Sequence, residues 1–198
     1  MDIKLKCACG AVEGKALNIT SKNGNRIVCC CDDCQAFARH LGTQDDTLDE
    51  FGGTEIYQTS LAQVTIHQGQ EHLRCMRLSS KGLLRWYTDC CKTPVGNTVS
   101  VKFPFVGLIH NFMAIDGNRA ATLGPVLAHI QVKHAQGSPS YPDSAQAFPI
   151  GITLRMISKV LLWKVKGMSR PSVFFDEAGK AAVKPVVLQE ASAGMITK

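Results

Sequence analysis

The sequence lacks any long apolar run. Nowhere in its 198 residues do the ~18 consecutive apolar positions of a membrane-spanning helix occur. The amino terminus, Met1-Asp2-Ile3-Lys4-Leu5-Lys6, has no apolar signal core before its first cysteine. Nothing marks the chain for export or for a bilayer, and the expected location is the cytoplasm. Aromatic residues are few, at 7%, and nowhere interleave with basic ones as they do on nucleic-acid-binding surfaces, so a nucleic acid is not the favoured partner. Acidic residues are outnumbered 16 to 22 by basic ones. The imbalance is local: residues 1–110 are nearly neutral, and the excess falls in residues 111–198, notably Arg155, Lys159, Lys164, Lys166 and Arg170. Such a run attracts an acidic partner or, more simply, forms the solvated face of a helix. Cysteine is absent after residue 91. A secreted disulfide framework would spread its cysteines through the whole chain and favour an even number.

What the sequence does have is nine cysteines in its first half, at 7, 9, 29, 30, 31, 34, 75, 90 and 91. Crowded thiols in a reducing compartment read as metal ligands. Around them the chain reads as short strands joined by turns. Residues 3–13 alternate and predict a first strand broken by a Cys7-Ala8-Cys9-Gly10 turn, and Arg26-Ile27-Val28 enters the central cysteine run as a strand. A short helix is predicted from Asp32 or Asp33, its aspartates capping free amides, Phe37 and Leu41 forming its apolar face, and Gly42 ending it. Gln63–His67 and Leu73–Leu78 read as partner strands across a Gly69 turn, followed by Leu83–Tyr87 and Val99–Val101.

The second half predicts a strand over Pro125–His134 and a Ser/Pro/Ala-rich loop over Gly137–Pro149. Ile150, Leu154, Ile157, Leu161 and Val165 recur at helical spacing, so an amphipathic helix is expected over about 151–166. A hairpin over about 172–188 completes the chain. The expected organisation is mainly β: a zinc-binding domain of short antiparallel strands over 1–105, with a strand–helix–hairpin extension over 106–198 packed on it.

The cysteines fall into three groups. Zinc takes about four ligands in a tetrahedron, and thiols one to three residues apart on a turn converge at little entropic cost. Cys7 and Cys9, with the distant Cys90 and Cys91, suit a closed structural site that clips two segments together. Cys29-x-Cys31-x2-Cys34 supplies three thiolates, which leaves one position for water or a substrate sulfur, the mark of a reactive site. The helix start at residues 32–34 adds partial positive charge beside these thiols, and the flanking aspartates oppose it. Cys30 points away from its neighbours in an extended segment, and Cys75, on an alternating strand, reads as a small buried hydrophobe. His40 is a candidate proton shuttle but reads more simply as a surface residue. His67, His72, His110, His129 and His134 show no ligand spacing and read as structural. Arg39, Arg74, Arg77 and Arg85 are able to grip carboxylates but read individually as sheet-surface charges. Trp86 and Tyr87 read as packing.

The motifs Cys7-Ala-Cys9-Gly10, Cys29-x-Cys31-x2-Cys34, Val64-x-Ile66-x2-Gly69-x3-Leu73 and Arg85-x-Tyr87-x3-Cys91-x-Thr93-Pro94 together resemble the glutathione-dependent formaldehyde-activating enzyme family, which also holds centromere protein V. The resemblance covers about residues 3–100. It implies a β-tent fold with two zinc sites: Cys7, Cys9 and Cys91 among the structural ligands, and Cys29, Cys31 and Cys34 as the catalytic thiolates. The implied activity is a carbon–sulfur lyase type acting on a thiol adduct such as S-hydroxymethylglutathione, with glutathione as thiol and formaldehyde as aldehyde. The family's third motif is Cys-x2-Cys-Gly, whereas here its first cysteine is Thr88 and its glycine is Lys92. Either Cys90 stands in as fourth ligand, or that site has three protein ligands. Two other functions fit the same residues: a non-enzymatic zinc-stabilised module binding a protein or nucleic acid through the basic half, and a thiol redox sensor centred on Cys30 and its neighbours.

Overall fold

The computed structural model describes residues 1–139, 141 and 149–188. The fold is mainly β. Its strands are β1 (Ile3–Lys6), β2 (Glu13–Ala16), β3 (Asn25–Cys29), β4 (Thr54–Thr59), β5 (Val64–Gln68), β6 (Leu73–Arg77), β7 (Leu84–Thr88), β8 (Pro94–Ser100), β9 (Phe103–Ile109), β10 (His129–Ile130) and β11 (Val186–Val187). The helices are α1 (Asp32–Leu41), α2 (Gln44–Thr47), α3 (Arg119–Leu123) and α4 (Ile150–Val165). Among the described residues the strands form a small sheet, β1-β2-β5, and a large one, β10-β3-β4-β9-β8-β7-β6-β11.

Local chemistry explains most elements. In β1, Ile3 and Leu5 are buried while Lys4 and Lys6 face out and pair with Glu13 of β2, the alternation of a half-buried strand. Helix α1 begins and ends where the sequence places it. Gly42 closes it in the left-handed region at φ 69°, where a side chain would be strained. The expected aspartate caps do not form: the residue before the helix is Cys31, and no side chain caps it. Asp32 and Asp33 instead occupy the first turn, beside the positive end of the helix dipole.

Several expectations change. β5 and β6 are not partners: β5 pairs with β2, and β6 with β7. Gly69, at φ 72°, and a single helical turn over Gln70–His72 redirect the chain from one sheet to the other. β4 and β9, where no strand was expected, pair with each other inside the large sheet. The strand near residue 100 starts earlier, at Pro94, and ends at Ser100.

The expected strand over Pro125–His134 contracts to His129–Ile130, which lies parallel to β3. Most of the loop expected between Gly137 and Pro149 lies outside the described residues. The expected hairpin over 172–188 reduces to one antiparallel bridge, Phe175 to Ala181; Val186–Val187 instead joins the edge of β6 in parallel. Two strand pairings are therefore parallel within a largely antiparallel sheet.

The main core gathers Leu5, Val12, Leu73, Trp86, Val106 and Phe112. Phe174 packs on Trp86 at a ring distance of 5.2 Å, so the far end of the chain seals this core. Helix α4 lies where the periodicity puts it but buries a different face. Ile150, Leu154, Ile157, Leu161 and Val165 are between 49% and 87% exposed, while Val160 and Trp163 are buried. The cations Arg155 and Lys159 are turned inward rather than solvated. Arg155 Nε donates to the buried Asn25 at 2.6 Å and its Nη2 to the Ser21 carbonyl, and Lys159 donates to the Lys22 carbonyl. Carbonyls of the 21–25 turn need donors, and these cations supply them, which fixes the helix's rotation. Lys164, Lys166 and Arg170 remain exposed, as expected.

Candidate functional site

Cys29 closes β3, and the chain stays extended through Cys31 before α1 begins. Successive side chains of an extended segment alternate, so Cys29 and Cys31 share a side and Cys30 does not. One helical turn then returns Cys34 to the same place, its amide donating to the Cys31 carbonyl at 3.0 Å. The sulfurs of Cys29, Cys31 and Cys34 all lie within 4.8 Å of one another. Cys30 is fully buried and faces away, its sulfur 4.0 Å from the hydroxyl of Tyr141.

The three thiols sit at a cavity of about 390 Å³ whose apolar wall includes Ile27, Ile56, Leu83, Phe105 and Ile130. Polar groups on the wall are Asp32, Asp33, Gln58, Arg85, Asn97, Gln131 and His134. Arg85 is 2% exposed, contrary to the sheet-surface reading. The alternation of β7 points Trp86 into the main core and Arg85 the other way, but α1 covers that other face: the guanidinium lies 5.4 Å from the centre of the Phe37 ring. Its Nη1 is 3.9 Å from Cys34 Sγ and 3.3 Å from Asn97 Oδ1, and its Nη2 is 3.4 Å from Asp33 Oδ2. His134 also reaches the cavity, held 2.7 Å from Asp32, and Gln35 ties its carbonyl and that of Cys30 together. Nothing in the sequence links residues 85 and 134 to residues 29–34. The parallel pairing of β10 with β3 brings residue 134 there.

Electrostatically the trio behaves as one unit. Hydrogen bonds from Cys29 and Cys31, aided by the Arg85 charge, hold Cys34 well below the ordinary thiol range despite its burial. Cys29 is pushed up by its hydrogen bonds to Cys31 and Cys34 and by burial. The Cys31 thiol is lowered by its contact with Cys29, but Cys34 and burial outweigh this and leave it raised. One anion, shared by three sulfurs beside a fixed cation, is the arrangement a soft divalent metal would take over.

The second cluster forms where the β1–β2 turn meets the β7–β8 turn. Cys7, Cys9, Cys90 and Cys91 have their sulfurs within 4.8 Å of one another, so Cys90 does join the set. The contacts are 3.6 Å for Cys7–Cys9, 3.9 Å for Cys7–Cys90 and 3.8 Å for Cys90–Cys91. A zinc tetrathiolate with ~2.3 Å bonds has sulfur–sulfur edges of about 3.8 Å, so the thiols already stand at the required spacing. The Thr88 hydroxyl lies 3.4 Å from Cys91 Sγ and that of Thr93 3.2 Å. Burial raises the Cys91 thiol, but bonds from these hydroxyls and from the backbone of Cys9 and Thr93 prevail and bring it to about 5. Burial and the neighbouring thiols push Cys90 up to about 12. Lys92, which follows the two adjacent cysteines, takes the left-handed conformation at φ 59°.

Of the remaining candidates, His40 is exposed on α1. Arg74 pairs with Asp89, and Arg77 donates to the Gly82 carbonyl. Cys75 is buried, as expected.

A family profile described as a family of unknown function, DUF6151, matches residues 2–187. The chain belongs to the DUF6151 family. The match takes in both thiol clusters, Arg85 and His134. No curated protein matches the chain. A solved structure of a Rhodobacter sphaeroides protein is similar over 63% of this chain and 97% of that one, at 21% identity and a TM-score of 0.40.

Proposed function

We propose that Cys29, Cys31 and Cys34 hold a catalytic zinc ion, that Cys7, Cys9, Cys90 and Cys91 hold a structural one, and that the protein makes or breaks a carbon–sulfur bond in a thiol–aldehyde adduct. The observation behind this reading is the difference between the clusters. One offers four thiols, a complete tetrahedral set, and has no need of a further ligand. The other offers three, on the wall of a cavity large enough for a small molecule. Zinc bound by three thiolates supplies a Lewis acid with a vacant position suited to a soft sulfur ligand.

The chain's own residues supply the rest. The apolar wall excludes water from the reacting groups. Arg85 balances the negative charge of the thiolates and fixes Cys34. The net reaction is redox-neutral: the thiol sulfur bonds to the carbonyl carbon, the C=O π bond becomes the C–O electron pair, and the S–H proton ends on that oxygen. Reversal is the lyase direction. The resemblance to the formaldehyde-activating family favours formaldehyde as aldehyde and implies glutathione as one candidate among small thiols, in a protein of the cytoplasm.

The competing readings draw less support. Redox sensing would turn on Cys30 and its neighbours, but the Cys30 thiol, raised chiefly by burial, is fully buried and faces away from Cys29, Cys31 and Cys34. Binding of a protein or nucleic acid through the basic half is left with Lys164, Lys166 and Arg170, since Arg155 and Lys159 are engaged within the fold.

The test is metal analysis of protein purified without added metal. The wild type is expected to carry about two zinc ions and the Cys31→Ser/Cys34→Ser variant about one, with an unchanged circular dichroism spectrum. An unfolded variant would make this cluster structural and remove the catalytic reading.

A further inference from the structure

The cavity's charges point to the kind of thiol it accepts. A thiol carrying carboxylates, as glutathione does, needs a free cation for each carboxylate taken out of water. Among the described residues the cavity wall offers Arg85 and His134 only. The Arg85 terminal nitrogens are engaged with Cys34, Asn97 and Asp33; its Nε has no partner among the described residues, but it is buried and the guanidinium is nearly inaccessible. His134 is held by Asp32. The charges most open to an arriving ligand are those same carboxylates, Asp32 and Asp33, whose side chains are 74% and 58% exposed. Paired in this way, neither Arg85 nor His134 presents an uncompensated positive charge to an arriving anion. The rest of the wall includes Ile27, Ile56, Leu83, Phe105 and Ile130, with three neutral amides, Gln58, Asn97 and Gln131. Gln58 and Asn97 already accept a hydrogen bond through their oxygens, from Asn25 and Arg85 respectively. Their N–H groups remain to donate to a neutral hydroxyl or carbonyl oxygen.

We infer that the thiol this cavity takes is uncharged and apolar, an alkyl or aryl thiol and its hydroxyalkyl adduct, rather than a carboxylate-bearing peptide thiol. The inference rests on the reading of Cys29, Cys31 and Cys34 as a metal site with a vacant position. The apolar body of the ligand lies against the isoleucines and Phe105, and the adduct's single oxygen meets the amides. The bonds made and broken are those of the redox-neutral addition described above, so no further reactant is needed.

The experiment loads the full chain with cobalt(II) and follows sulfur-to-cobalt charge-transfer absorption while 1-butanethiol or glutathione is added. Butanethiol is expected to raise the absorption at a concentration at least about tenfold lower than glutathione does, the cost of one unpaired buried carboxylate. Equal or tighter response to glutathione overturns the inference and leaves the metal–thiol reading standing. No response to either thiol overturns both. The Leu83→Arg variant changes a partly exposed position on the cavity wall and adds the missing cation. It is expected to close most of the gap between the two thiols, and an unchanged ratio overturns the charge argument.

Discussion

Arg85 is the single residue on which the candidate site's electrostatics turn. It is buried between α1 and the large sheet, and its partners are a thiol, a carboxylate and an amide. Removing one member of a buried charged set leaves the others unpaired, so Arg85→Ala is expected to cost about 3–5 kcal/mol in urea unfolding. Arg85→Met keeps much of the packing on Phe37 and loses only the charge. In metal-free protein it is expected to raise the Cys34 titration seen in thiolate ultraviolet absorbance, since Arg85 is among the causes of its depression. The sign of the linked stability follows. A depressed thiol stabilises the fold fully above the unfolded thiol value, near 9, and that stability fades as pH falls through the lower folded value. The two proteins should therefore converge in stability toward acid pH; a constant difference would detach Arg85 from Cys34.

At the scale of elements, α4 separates what periodicity shows from what packing selects. The 150–154–157–161–165 stripe is a true helical repeat, yet it faces solvent, and the helix is anchored by Val160, Trp163, Arg155 and Lys159. Trp163→Ala is expected to cost about 3–5 kcal/mol, whereas Leu154→Gln and Leu161→Gln should each stay within about 0.5 kcal/mol. Thermal unfolding of the three variants checks this, and the reverse ranking would mean the helix is rotated. The exchange of partners by β5 and β6 makes the same point. Two adjacent alternating strands with a glycine turn between them look like a hairpin, but their backbones pair into different sheets while their apolar side chains share one core.

For the molecule as a whole, the four-thiol cluster joins the small sheet to the large one, with Ala8 donating to the Thr93 hydroxyl at 3.0 Å beside it. A metal ion bound there contributes its binding energy to folding. Chelation is expected to lower the melting temperature by about 5 °C or more in a chain of this size. Cys9 is exposed, so Cys9→Ser should fold, melt lower without chelator, and lose most of the chelator's effect. A variant that melts like the untreated wild type would show that the cluster clips nothing together.

The sequence by itself determined the parts that depend on near neighbours. The alternation of an extended chain put Cys29 and Cys31 on one side and Cys30 on the other, and a helix turn returned Cys34 to them. Gly42 ended α1, and clustered cysteines announced thiol groups that could hold a metal ion. Only the tertiary structure decided which distant groups meet those thiols. Arg85 reads as a surface charge until α1 is laid across its strand, and His134 reads as structural until β10 pairs with β3. A strand's two faces are equivalent to local chemistry. What covers each face is settled by contacts between residues fifty or a hundred positions apart, and these follow from the cooperative packing of the whole chain.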